Sequence, residues 1–477
     1  MAQLPSSISA SRRVSRRTRS GLVSVVVALF LAGCAAQQPY QVPLMPGPEI
    51  YDTGVLNPLP EASPADIIPW DGMLYATNRA ATTEDDTDRY YSNKRGWRLT
   101  AGSARIDFGE LAIDWETARE ISLLKNRSTD YPLRVGSIDE FGPIESGMSA
   151  FERYEGPFAD ERFASLINEK LETADRRDVY IYVHGYKVVF EDPLLVATEL
   201  WHFLGYDGAF IAFSWPSTPR RLAYLSDLET AGWSARDLRV LVEFLAANTA
   251  VERIHVVGYS AGTRVVLQML AQLAYRHMDN DVAEIRQRVR LGNVMLIGSD
   301  MDRQVFGNYI ADGLLRVPER LTIYLSDSDK AMGLARFIFG RERLGTVWSN
   351  ADELHPDVAA FLSGNRVIDL INVSDAEDAR AGHGHGYFRR SPWVSSDVLM
   401  TLMYGLDPEQ RGLVRNRHMP VWDFPPDYVS RLRASLEDLG VGSRQAPGAS
   451  EPNGRTGMRL SPSRKFGPLK SGGLRAH

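Results

Sequence analysis

Ten residues constrain this chain more than any others: Arg253-Ile-His-Val-Val-Gly-Tyr-Ser-Ala-Gly262. Ile254 to Val257 reads as a short apolar strand, and Gly258-Tyr259-Ser260-Ala261-Gly262 is a G-x-S-x-G turn. From Thr263 to Ala274 the spacing becomes helical, with Val265, Val266, Met269, Leu270 and Leu273 on one face. Strand, tight turn and helix with Ser at the apex is the context of a nucleophile elbow. Gly258 and Gly262 remove Cβ atoms where the strand and helix converge. The bend forces Ser260 into a strained backbone and projects its Oγ above the sheet edge. The five-residue pattern alone is common, and the competing reading is a Gly-rich turn with no chemistry; the flanking strand and helix favour the elbow.

The surroundings repeat the same grammar. From Asp178 onward, short apolar strands alternate with amphipathic helices. Strands are expected at Val179–Val183, Ala209–Trp215, 254–257, Leu291–Gly298, Leu321–Leu325 and, last, Val367–Ile371, with helices at Pro193–Leu204 and Ser234–Asn248 among them. Such alternation implies a mainly parallel sheet with helices on both faces, and these sheets place their sites at the carboxyl ends of the strands. Residues 177–435 are read as this catalytic domain. Residues 70–176 are read as an N-terminal extension packing on it and able to supply the first strands of the sheet, with strands at Met73–Thr77 and Ala101–Phe108 and a helix over Glu161–Ala174.

The amino end reads as an export signal. Residues 1–20 contain Arg12, Arg13, Arg16, Arg17 and Arg19 and no acid, and Leu22–Ala32 is an eleven-residue apolar run. A spanning helix needs about 18–20 apolar residues, so the pattern is a basic n-region with a short h-region. The run ends in Leu31-Ala32-Gly33-Cys34, which resembles the lipobox of bacterial lipoproteins. Cys34 is the only Cys in the chain and has no internal disulfide partner; lipidation accounts for it, and the competing reading is an incidental Cys in a processed signal peptide. Residues 1–33 are thus the expected signal peptide. Residues 34–69, with eight prolines from Pro39 to Pro69, are expected to form an extended tether. Residue 35 is Ala rather than Asp, which by the same resemblance favours the outer membrane over the inner.

Charge narrows the partners. The whole chain carries −6, and removing residues 1–33, with five Arg and no acid, leaves −11. Residues 441–477 hold seven basic side chains against Glu451, so residues 34–440 carry −17. So acidic a body argues against nucleic acid as a partner. The Gly-, Ser-, Pro- and Arg-rich tail, 436–477, is expected to be disordered.

A Ser hydroxyl needs a base, a carboxylate to orient that base, and donors for the oxyanion it generates. The Ala261 N–H follows the nucleophile directly. A second donor is expected from the His184-Gly185-Tyr186 loop, with the Tyr186 N–H favoured and His184 read as structural. Two loops compete for the acid. Asp300 and Asp302 follow one strand; Asp327 and Asp329 follow the next, and Asp329 is preferred because the acid usually sits in the later loop. Each could instead be a loop carboxylate or helix cap. For the base, only His residues after the last strand fit the Ser…Asp…His order, and Gly382-His383-Gly384-His385-Gly386-Tyr387 supplies two. His-x-His can also read as a metal pair, but no third ligand announces itself. No cofactor and no metal are expected.

Six blocks then occur in one order: Val183-His-Gly-Tyr186 with Phe190, Phe213-Ser-Trp-Pro-Ser217, Gly258-Tyr-Ser-Ala-Gly262, Ser299-Asp-Met-Asp302 with Val305-Phe306, Tyr324-Leu-Ser326 with Asp329 and Ala331, and Gly384-His-Gly-Tyr387. Together they resemble an uncharacterised α/β-hydrolase family of bacterial exported proteins and lipoproteins, over about residues 70–405. The resemblance implies an α/β-hydrolase fold and a Ser260–Asp329–His385 triad, and favours His385 over His383. Lys187 replaces the family's usual Asn, and Tyr259 its usual His. The expected activity is that of a membrane-anchored serine hydrolase, esterase- or lipase-like, acting on an acyl-containing small molecule or lipid. The alternative is a catalytically silent lipoprotein that uses the fold as a binding or envelope scaffold.

Overall fold

The computed structural model describes residues 40–441 apart from 85, 87, 109–112, 149–152, 219–223, 330–331, 333–341, 348–354 and 382–383. The expected signal peptide, Cys34, His383 and nearly all of the basic tail lie outside the described residues.

The central strands are mostly apolar and buried along their whole length. β5 (Asp178–Val183), β6 (Ala209–Ser214) and β8 (Leu291–Ile297) are buried at every position. A strand buried on both faces belongs in the middle of a sheet covered by helices on each side. Among the described residues, one sheet of twelve strands results, ordered β1-β4-β3-β2-β6-β5-β7-β8-β9-β10-β12-β11. The others are β1 (Gln41–Pro43), β2 (Met73–Ala81), β3 (Tyr91–Phe108), β4 (Pro132–Pro143), β7 (Arg253–Tyr259), β9 (Arg320–Leu325), β10 (Ile368–Asn372), β11 (Val414–Arg415) and β12 (Trp422–Asp423). From β2 across to β12 every neighbouring pair is parallel. β1, β4 and β3 continue the sheet antiparallel at one edge, and β11 closes the other.

The order reverses at β5. The chain runs from β5 to β6 on one side, then returns to place β7 on the other. At such a switch point the loops leaving neighbouring strands diverge and open a crevice at their carboxyl ends. The helix Gly262–Arg276 follows β7 and buries Val265, Val266, Met269, Leu270 and Leu273, the face that the spacing marks.

Three expectations change. The extended tether does not hold for residues 40–59. Val42, Leu44, Met45, Ile50, Tyr51 and Leu59 are buried, Tyr51 donates its hydroxyl proton to Phe203 O at 2.7 Å, and the Met45 N–H reaches Glu199 at 2.8 Å. The prolines shorten the elements without keeping the segment from packing: Pro43 ends β1 and Pro64 opens the short helix Pro64–Ile67. The extension over 70–176 supplies the first strands of the sheet, as its reading allows, with β2 paired in parallel to β6; what changes is the extent of β3, which starts ten residues before the expected Ala101. Finally, β10 is not the last strand. β12 adds two residues beside it, fixed by Asn372 and Asn416, which both donate to Asp423 at 2.9 and 2.6 Å; a two-residue strand has no readable period.

Burial of ionisable groups gives the fold a pH limit. His202, on the helix Glu191–Phe203, lies between the Tyr206 and Ser122 hydroxyls at 2.8 and 2.7 Å. Desolvation, helped by Arg127, pushes its pKa down to about 3. The unfolded chain therefore binds this proton first, near pH 6.5, and the native state only near 3. Stability is complete above about pH 6.5 and declines as the pH falls through that window. At about 1.4 kcal/mol per unit, on the order of 3 kcal/mol is lost by about pH 4. We expect Tm to fall between these pH values and His202→Gln to flatten the fall; an unchanged slope contradicts the assignment.

Candidate functional site

β7 delivers Ser260 into the crevice. Its φ is +52°, left-handed backbone that a residue with a side chain occupies only when its surroundings force it. The surroundings do so: Ser260 N–H donates to Ile297 O of β8 at 2.9 Å, and Ser260 O accepts from Thr263 N and Oγ1 at 3.0 and 2.6 Å. A Cβ at Gly262 would stand 2.2 Å from His184 O, and one at Gly258 2.9 Å from Val266 Cγ2. Both elbow glycines are therefore steric requirements. Gly185 is a third: its Cβ would lie 2.8 Å from Ser260 Cβ and 3.4 Å from Oγ. The loop after β5 thus passes directly against the serine.

Asp329 and His385 arrive from neighbouring strand ends. Asp329, in the loop after β9, has a fully buried side chain, and its Oδ2 lies 2.6 Å from His385 Nδ1. Its other oxygen accepts from Met332 N at 3.1 Å. The carboxylate fixes the imidazole with Nδ1 as donor, which leaves the Nε2 lone pair free. His385 packs over the end of β8, where a Cβ on Gly298 (φ +57°) would stand 3.0 Å from His385 Cε1. Its ring lies 5.0 Å from that of Tyr259, the residue before Ser260. His385 is therefore beside the elbow, but no hydrogen bond joins Ser260 Oγ to its Nε2, a contact that the expected triad calls for. Such bonds are commonly long in a free enzyme and tighten when substrate binds.

The other candidates have different work. Asp300 pairs with Arg264 at 2.8 Å, and Asp302 caps the helix Arg303–Ala311 through the N–H groups of Gln304 and Val305. Asp327 is half exposed, 3.7 Å from Arg380. His184 is fully buried; its nitrogens face Gly185 O at 2.6 Å and Trp215 O at 3.0 Å, and burial holds its pKa well below the ordinary histidine value. The Ala261 N–H has no acceptor among the described residues and lies at the start of the helix Gly262–Arg276. Tyr186 is on the Gly185 loop, half-buried. Among the described residues no cluster of three or more His, Cys, Asp or Glu could hold a metal ion.

Sequence reasoning gives no role to Tyr387. This fully buried side chain accepts from Gly298 N at 2.8 Å and donates to Tyr324 O at 3.3 Å. It bolts the His385 loop across the ends of β8 and β9. The signal was its place two residues after His385 in a quoted block.

A doubly wound sheet with a serine elbow at its switch point defines the class: an α/β hydrolase. The chain belongs to the family described as alpha/beta hydrolase of unknown function (DUF900), whose model matches residues 159–402. Neither a curated protein nor a solved structure matches it. The match takes in Ser260, Asp329 and His385 and leaves out β1 to β4.

The Gly298 contact is testable. Gly298→Ala places a methyl group against the imidazole in left-handed backbone, and should cost about 1–3 kcal/mol. It should also shift or abolish the low-field proton resonance of the His385–Asp329 hydrogen bond. Gly307→Ala, where a Cβ meets nothing within 4 Å, is the control. Equal behaviour of the two variants contradicts the packing described.

Proposed function

We propose that this protein is a serine hydrolase of acyl esters, held on a membrane through Cys34. The observation that carries the reading is a strained serine at the switch point, flanked by a buried aspartate–histidine pair on the neighbouring strand ends. In the proposed cycle Ser260 Oγ attacks the ester carbonyl carbon while its proton passes to His385 Nε2. The Ala261 and Tyr186 N–H groups receive the oxyanion, and the helix behind Ala261 adds its N-terminal dipole. His385 returns the proton to the leaving alcohol as the C–O bond breaks. A water molecule, deprotonated by His385, then attacks the acyl-enzyme, releasing the acid and restoring Ser260. Asp329 keeps the imidazole oriented and stabilises the imidazolium.

The anchor bears on the substrate. Five residues lie between Cys34 and Tyr40, and the six Cα–Cα steps reach about 20 Å at most. Tyr40 donates its hydroxyl proton to Asp192, at the start of the helix that follows the oxyanion loop. An acyl group on Cys34 therefore holds the catalytic end of the sheet close to the lipid. This favours a lipid, or another acyl ester carried by the bilayer, as substrate, and Ala35 favours the outer membrane.

A second reading, a silent scaffold, draws on the missing Ser260–His385 hydrogen bond. One experiment separates the two. A fluorophosphonate probe should label the protein and fail to label Ser260→Ala. Asp329→Asn should lower kcat on a p-nitrophenyl ester by about 10³–10⁴-fold, whereas Asp300→Asn keeps a triad and loses far less. Labelling that survives Ser260→Ala, or none in the unaltered protein, ends the enzyme reading. For the anchor, Cys34→Ser should release the protein from the membrane fraction and abolish palmitate incorporation.

A further inference from the structure

Arg79 is a buried charge set among neutral hydrogen-bond acceptors. It lies on β2, outside the family match, with register shifts in the β2–β3 pairing on both sides of it. Such irregularities re-aim a side chain out of the regular pleat. Arg79 is 3% exposed and points toward the loop after β5. Its Nε donates to Ser214 Oγ at 3.0 Å, Nη1 to Ser92 O at 3.4 Å and Nη2 to Val188 O at 3.1 Å. All three acceptors are neutral, and among the described residues no carboxylate pairs with it. Asp88, Glu191, Asp227 and Asp192 act on it only through their field, from beyond ion-pair distance, and a buried guanidinium so placed is costly. Glu199–Arg389 and Asp397–Arg411, by contrast, are matched pairs.

Val188 is held a second time. Ser217 Oγ accepts from Val188 N at 3.2 Å and donates to Val188 O at 3.1 Å. The other end of the loop is held by Trp215. Its ring stacks on His184 at 5.1 Å and 6°, and its Nε1 donates to His184 O at 2.7 Å. Between these fixed ends lie only Gly185, Tyr186 and Lys187, and Lys187 is itself left-handed at φ +69°. Gly185, at the start of that span, lies against Ser260.

We infer that Arg79 and Ser217 are positioning residues that clamp Val188 and so aim the Tyr186 N–H at the oxyanion, making β2, where the antiparallel edge joins the parallel sheet, a working part of the site. The inference rests on the serine-hydrolase reading and adds to it a residue from outside the matched family region. The charge contributes as well as the geometry. Burial lowers the Arg79 pKa only to about 10, so it remains a cation at neutral pH, and its field is felt at His184, where it disfavours a second positive charge. A fixed cation behind an oxyanion loop stabilises the negative charge that forms there.

The test uses the full chain and four proteins: unaltered, Arg79→Gln, Arg79→Lys and Ser217→Ala. Tm, the second-order rate of fluorophosphonate labelling, and kcat and KM on p-nitrophenyl butyrate are measured for each. Arg79→Gln and Ser217→Ala should lower the labelling rate and kcat by about 10–100-fold, with KM changed less than about threefold. Arg79→Lys, which keeps the charge and loses the fork, should recover part of the loss. Folded variants that label at the unaltered rate overturn the clamp. If both Arg79 variants fail to fold, Ser217→Ala decides alone, since it removes one hydroxyl and leaves Arg79 in place. An unaltered protein that does not label overturns the enzyme reading and the clamp with it; one that labels equally with every variant overturns only the clamp.

Discussion

The backbone of the loop after β5 runs against the backbone of the elbow with no side chain between them. Gly262 lies under the His184 carbonyl, and Gly185 lies against Ser260. This close approach fixes the serine relative to its expected oxyanion donors, because neither backbone can move without striking the other. It also explains the left-handed Ser260: with β7 bonded to β8 up to Tyr259 and the helix starting at Gly262, two residues must make the whole reversal. The strain is supported by parallel pairing across the middle of the sheet.

Around that contact the site is built from strand ends held by buried polar groups. Tyr387 ties the His385 loop to β8 and β9. Tyr324, on β9, also donates to Asp397 at 2.8 Å, and Asp397 pairs with the fully buried Arg411 at 2.8 Å. On the other side, Glu199 takes a bidentate pair from Arg389, four residues after His385, and accepts from the Met45 N–H. The N-terminal segment therefore reaches the His385 loop through one carboxylate. Losing a single partner from such a pair is far more damaging than never having built it, which makes residues 40–59 structural despite their proline content.

How much of this is legible in residues alone depends on distance along the chain. The elbow is local: strand, two glycines, serine and helical face lie within about two dozen residues, and each leaves a periodic or steric mark. The choice among Asp300, Asp302, Asp327 and Asp329 is different. Their spacing after the strands is alike, and it took the position of Arg264, 36 residues from Asp300, to show which carboxylate is occupied elsewhere. Arg79 left no mark at all. An arginine in a strand reads as a surface charge, and its burial follows from irregular pairing that no periodicity reports.

The sequence by itself determined the alternation of elements, the elbow and its serine, and the late histidine in its Gly-rich loop, because these arise from interactions between near neighbours. Only the tertiary structure decided that the proline-rich segment packs as core, that β2 joins the sheet in parallel while β3 and β4 join it antiparallel, and that Asp329 is the carboxylate facing His385. Those outcomes depend on which distant backbone groups and charges meet, and a linear spacing carries no information about a meeting set by the winding order of the sheet.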